Sequence, residues 1–150
     1  MTASLDPADC TFCQILGGKL PATLLHRDDR CAVFMDIRPV NTGHLLVIPN
    51  EHAPFLADVS SQDLERMIGL AQRYAAGLRA SGLPCEGVNL FLADGPAAMQ
   101  EVFHAHLHVF PRYRGDGFGL RFGPHYAVQE RVALERAAGM IRMGISKLEQ

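Results

Sequence analysis

The chain lacks any apolar run long enough to cross a bilayer. Its opening, MTASLDPADC, has neither a positive n-region nor an apolar h-region, so the sequence predicts a cytoplasmic protein with no membrane partner. Positive charge is also not in surplus. Fourteen Lys and Arg against 16 Asp and Glu give a formal net charge of −2, and the basic residues are scattered. Nucleic-acid binding needs a clustered basic stripe, so that class is excluded, whereas a small phosphorylated ligand needs only a few local donors. Cysteine is sparse as well: in a cytosolic chain of 150 residues the four present read as thiols or metal ligands, not as a disulfide framework. There is no internal repeat, linker or low-complexity stretch. Hydrophobic residues at 48% and charged residues at 20% are ordinary globular composition, and this length buries the core of one domain without cross-links.

What stands out is His104-Ala105-His106-Leu107-His108-Val109-Phe110, in which three histidines alternate with apolar residues. The period of two reads as a half-buried strand with one oily face and one face of imidazoles. Residues two apart on a strand lie about 6–7 Å apart, so one metal ion could take two adjacent histidines but not all three. At least one imidazole is left for other work, and neutral imidazole is both base and nucleophile near pH 7.

Residues 1–9 read as a mobile tail. Cys10 and Cys13 form a C-x-x-C pair at the start of a short helix stopped by Gly17-Gly18. Strands are expected at 23–27, 31–35, 44–48, 88–92 and 104–110. Between the third and fourth, Leu64, Met67, Ile68, Ala71, Tyr74, Ala75 and Leu78 recur at helical spacing, with Ser60 or Ser61 as N-cap. Residues 113–126, rich in Gly and aromatics, read as irregular, and a last helix runs from about Gln129 to Lys147. The class is α+β: about five antiparallel strands, one long helix between strands and a C-terminal helix. The expected organisation is a single domain over 1–150, with its core at 10–112 and a C-terminal extension at 113–150.

The triad followed by Pro111-Arg112, the C-x-x-C with Phe12 inside it, the Asp36-Ile37 step, Gly43-His44 before a strand ending Val-Ile-Pro, and Gln100 ahead of the triad together resemble the histidine triad (HIT) family. That resemblance implies a HIT-like fold and a homodimer. It also implies a purine nucleotide hydrolase or transferase that cleaves at the α-phosphate of nucleoside phosphoramidates or dinucleoside polyphosphates through a nucleotidyl-histidine. By position, His106 is the nucleophile, oriented by the carbonyl of His104. His108 and His44 contact phosphate and leaving group, and Gln100 the bridging side. Asp36 takes the ribose hydroxyls of an AMP-containing nucleotide, Ile37 and Phe12 flank the base, and Asn89 joins the nucleotide-binding set. Some bacterial members hold a structural zinc, and the matching residues here are Cys10, Cys13, His52 and His104.

Three positions depart from the family pattern: Ala93 where an amide is common, Met99 where Gly is common, and Glu101 where many members have Ser or Thr. They keep open the alternative of a nucleotide-binding module with little or no turnover. A catalytic zinc enzyme using two triad histidines is a third reading, and it requires an open coordination position that a matched Cys2His2 set closes.

Overall fold

The computed structural model describes residues 5–149. Residues 1–4 of the expected mobile tail lie outside the described residues. Residues 5–9 form a hydrogen-bonded turn, tied by the Gln14 amide to the carbonyl of Ala8 at 2.9 Å. Two compact units are present, one ending at Phe118 and one beginning at Gly119.

The first unit opens on a helix, α1 (Thr11–Leu16), and two strands, β1 (Leu24–Arg27) and β2 (Cys31–Met35). A third strand, β3 (Leu45–Pro49), precedes the long helix α2 (Ser61–Ala80). Strands β4 (Gly87–Leu92) and β5 (Leu107–Arg112) complete a sheet of order β1-β2-β3-β5-β4 in which every pairing is antiparallel. In α2, the Ser60 hydroxyl accepts from the Asp63 amide, the N-cap that the sequence offered.

Strands β2 and β3 are apolar along their whole length because both of their faces are covered. Cys31, Val33, Leu45, Val47, Leu107 and Val109 pack on one side with Met67, Leu70, Ala71 and Leu78 of α2. Ala32, Phe34, Leu46 and Ile48 point to the opposite side, against Cys10 and Phe12. Helix α1 covers only part of that second face, and the uncovered part faces the triad. Gly43, with φ of +102°, sits just before β3. A Cβ there would meet Leu78 and Leu83 at 3.0 Å, so the turn that delivers His44 needs glycine.

The triad strand is shorter than expected. Pairing with β3 begins at Leu107, opposite Val47. Upstream of it the Ala105 amide donates to the carbonyl of Ala53, and the His104 amide to that of Val102. His104 to His106 therefore leave the ladder, which frees His104 to turn inward.

The second unit contains α3 (Arg131–Leu148), two residues later at its start than the sequence pattern suggested, and a stacked pair, Phe122 and Tyr126, with centroids 3.9 Å apart.

Candidate functional site

The buried side of the triad is a cluster of sulfur and nitrogen. Cys10 and Cys13 lie at the start of α1, His52 just after β3 and His104 before β5. Their four donor atoms all lie within 4.8 Å of one another. The Sγ to Nδ1 separations are 3.5 Å for Cys10–His104, 3.3 Å for Cys13–His52 and 3.5 Å for Cys13–His104. A tetrahedral zinc with its usual bond lengths sets sulfur and nitrogen about 3.6 Å apart. Behind the cluster, Nε2 of His104 donates to the carbonyl of Pro49 at 2.8 Å and Nε2 of His52 to that of Leu5 at 3.0 Å. Each bond fixes the proton on Nε2 and turns the Nδ1 lone pair to the thiols, the usual outer support of a metal-binding histidine. Burial pushes the Cys13 thiol up to about 12 and His104 down to about 4, the forms expected of such groups when no cation stabilises them.

On the open side, His106 is 5% exposed, and its Nδ1 donates to the carbonyl of His104 at 2.7 Å. The lone pair is thereby placed on Nε2. His44 has the opposite arrangement: the Val40 amide donates to its Nδ1 at 3.0 Å, so its proton sits on Nε2 and is given to Nδ1 of His108 at 2.9 Å. His108 then carries its own proton on Nε2. Hydrogen-bond partners thus assign a lone-pair donor, His106, beside a proton-bearing partner, His108, with ring centroids 4.8 Å apart.

Burial lowers the pKa of His44, His106 and His108, the last to about 4, with neighbouring imidazoles adding to the effect on His108. A histidine held below its unfolded value of about 6.5 takes up fewer protons when folded. Its neutral form costs nothing above about pH 6.5, and stability falls as pH drops from there toward 4. Urea unfolding at pH 7 and pH 5 should give a lower midpoint at pH 5, and replacing His108 with Gln should reduce that difference.

A cleft of about 780 Å³ opens over His106, His108 and His44. It is lined also by Phe12, Phe34, Asp36, Ile37, Arg38, Met99, Glu101 and Val102. Asp36 Oδ2 lies 3.6 Å from Nε2 of His44 and 3.9 Å from Nδ1 of His108. Ile37 is 90% exposed at the mouth, and Phe12 meets the His106 ring edge-on at 5.1 Å. Besides His104, which is turned to the thiols, two expected site residues are not among those lining the cleft. Gln100 is buried, its oxygen accepting from the Gly95 amide and its NH2 donating to the carbonyls of Pro54 and Val102, which braces the loop before the triad. Asn89, on β4, accepts from Arg112 at 2.7 Å. Arg38 was not singled out in the sequence. Its only signal there is adjacency to Asp36-Ile37, and the cleft lining brings it in.

Ala93 is buried. Met99 adopts φ of +69°, the left-handed region that disfavours any side chain with a Cβ. It is 74% exposed and gains little packing in return. Met99→Gly should therefore raise the unfolding free energy by about 0.5–1 kcal/mol, read from denaturant midpoints.

Residues 18–115 match the HIT domain family. Over 116 residues the chain is 40% identical to an uncharacterised HIT-like protein of Borreliella burgdorferi, spanning 77% of this chain and 84% of that protein. Over 109 residues it is 35% identical to adenylylsulfatase HINT3 of Arabidopsis thaliana, spanning 72% of this chain and 54% of that protein. The fold is similar to the crystal structure of a Zn-bound histidine triad family protein from Mycobacterium smegmatis. There the TM-score is 0.72 and identity 37%, over 96% of this chain and 98% of that one. Among the described residues no helix is long and apolar enough to cross a membrane. With the triad, its α+β sheet and the family match covering most of its length, the chain belongs to the HIT family of nucleotide-binding hydrolases and transferases.

Proposed function

We propose that the protein cleaves purine nucleotide derivatives at the α-phosphate by way of a covalent nucleotidyl-His106. The observation that carries this reading is the bond from His106 Nδ1 to the carbonyl of His104, which leaves a neutral Nε2 with its lone pair on the cleft side. In the first step that lone pair attacks the α-phosphorus, the bond from phosphorus to the leaving nitrogen or oxygen breaks, and a departing nitrogen takes up a proton from solvent to leave as the amine. His108, bearing a proton on Nε2, donates a hydrogen bond to the phosphoryl group or to the departing atom. In the second step water attacks phosphorus, the bond to Nε2 breaks, the water's surplus proton passes to solvent, and a nucleoside monophosphate is released from neutral His106. Splitting one displacement into two needs a nucleophile that is neutral and held in one orientation, and the ring contacts of His106 with Phe12 and His108 supply that hold. Asp36 suits the ribose hydroxyls as an acceptor, with Ile37 and Phe12 beside the base.

The Cys10, Cys13, His52 and His104 set fits zinc by donor type, spacing and outer hydrogen bonds. Zinc there would be closed and structural, tying α1 to the segments on either side of the sheet core. The chain's own part is to present two thiolates and two Nδ1 lone pairs, which assigns His104 to the metal and leaves His106 and His108 for phosphate.

A homodimer is part of the same reading. It draws support from β4, an edge strand with Leu90 and Phe91 exposed, and from the apolar groove that β4 forms with Ile68 and Ala76 of α2. Sedimentation should give twice the chain mass.

A second reading, a nucleotide-binding module with little turnover, is favoured by the fully engaged carboxamide of Gln100 and by buried Ala93. Incubation with adenosine 5′-phosphoramidate and diadenosine polyphosphates, with chromatography for AMP, separates the two. The enzyme releases AMP, whereas the module binds nucleotide and releases none.

A further inference from the structure

Apart from the histidines, the cleft lining holds two acidic side chains, Asp36 and Glu101, and one basic side chain, Arg38. Arg38 does not point at the histidines. Its Nη2 donates to Oε2 of Glu101, joining the loop after β2 to the loop before the triad. Both side chains are largely exposed, at 77% and 70%, and a pair so placed adds little to stability. Fold stability is therefore a poor explanation for it. Its position explains more, because it ties up the cleft's one guanidinium beside the opening over His106 and His108.

We propose that the Arg38–Glu101 pair selects substrates by the charge of the leaving group, disfavouring those with several negative charges relative to those that depart as an amine. This rests on the reading of the site as a nucleotidyl hydrolase or transferase. A polyphosphate entering the cleft meets two carboxylates. To gain the guanidinium it must draw Arg38 off Glu101, which leaves that carboxylate unpaired near the phosphates. An amine leaving group brings no extra negative charge and needs no such exchange. Glu101, placed where a neutral hydroxyl would be indifferent to charge, thus acts through Arg38 as a positioning residue.

The test is the ratio of kcat/KM for adenosine 5′-phosphoramidate to that for diadenosine tetraphosphate, at fixed ionic strength. It is measured for the unaltered chain, Glu101→Gln, Arg38→Gln and the double variant. Both substrates are assayed on one preparation, so any loss of folded protein cancels from the ratio. Glu101→Gln removes a negative charge and frees Arg38, and should shift the ratio about tenfold toward the polyphosphate, the scale of one unit charge close to a phosphate at a protein surface. Arg38→Gln should shift it in the opposite direction. The double variant restores the balance of charge and should return to within about threefold of the unaltered chain. Ratios that stay within about twofold in both single variants overturn the proposal. If the unaltered chain consumes neither substrate while still binding AMP, the underlying reading of the site fails, and this one with it.

Discussion

Replacing His106 with Ala should lower turnover at the α-phosphate by at least about 10³-fold while nucleotide binding persists. In the proposed mechanism the ring has one task that no neighbour can take over. His44 and His108 share a hydrogen bond in which the nitrogens facing each other are already committed, so neither presents a free lone pair fixed as that of His106 is. His104 is turned inward, its Nε2 on the carbonyl of Pro49 and its Nδ1 among the thiols. Alanine also removes buried ring contacts with Phe12 and His108, so His106→Asn, which keeps more of the volume, serves as a second variant. Binding should survive in both, because Asp36, Ile37 and the remaining cleft walls are untouched. Steady-state release of AMP gives the rate, and calorimetry with AMP gives the binding. A variant that keeps its rate would remove His106 from the chemistry.

The other large effect is on stability. Stripping metal with a chelator, or replacing Cys10 with Ser, should lower the unfolding free energy by about 3–5 kcal/mol and Tm by about 10 °C. The size follows from what the cluster joins. Cys10 and Cys13 start α1, His52 follows β3 and His104 precedes β5, so one ion would join three parts of the chain that α1 alone covers incompletely. Losing it would leave two thiols and two imidazoles facing one another in a partly buried space with only weak mutual hydrogen bonds. Activity should fall too, because Phe12 lies between the two cysteines and forms a wall behind His106. Metal analysis of protein purified without added zinc should find about one equivalent per chain. A value well below that, with no change in Tm on chelation, would contradict a structural zinc.

Much of this was legible in the sequence, for identifiable reasons. The continuous apolar runs Cys31–Met35 and Leu45–Pro49 and the helical spacing from Leu64 to Leu78 record burial directly, so the two central strands and the long helix could be read from the apolar pattern. The cap at Ser60 is a local signal and needs no tertiary context. The spacing of the candidate metal ligands was visible because C-x-x-C sets two donors close together, but assigning His104 to that set rested on resemblance. Its physical cause, departure from the ladder before Leu107, is a tertiary bond between Ala105 and Ala53 that no window of sequence contains. The same limit explains Gln100 and Arg38. Gln100 preceding the triad looked like a ligand-facing amide, yet three backbone partners, Gly95 and Val102 in its own loop and Pro54 from a distant segment, hold it inside the loop. Arg38 was not singled out in the sequence, because only folding sets Glu101 against it. Met99 shows a local conflict that sequence flags without resolving: the missing glycine was evident, but the left-handed conformation it would relieve is a property of the folded loop.

The most direct test of the central claim is a rapid-quench reaction of the intact protein with adenosine 5′-phosphoramidate, followed by mass spectrometry of the whole chain and of its peptides. The account predicts a transient mass increase of one adenylyl group, located on the peptide containing His106 and absent from His106→Ala. AMP release without any adduct at times shorter than one turnover, or an adduct that persists in His106→Ala, would contradict it.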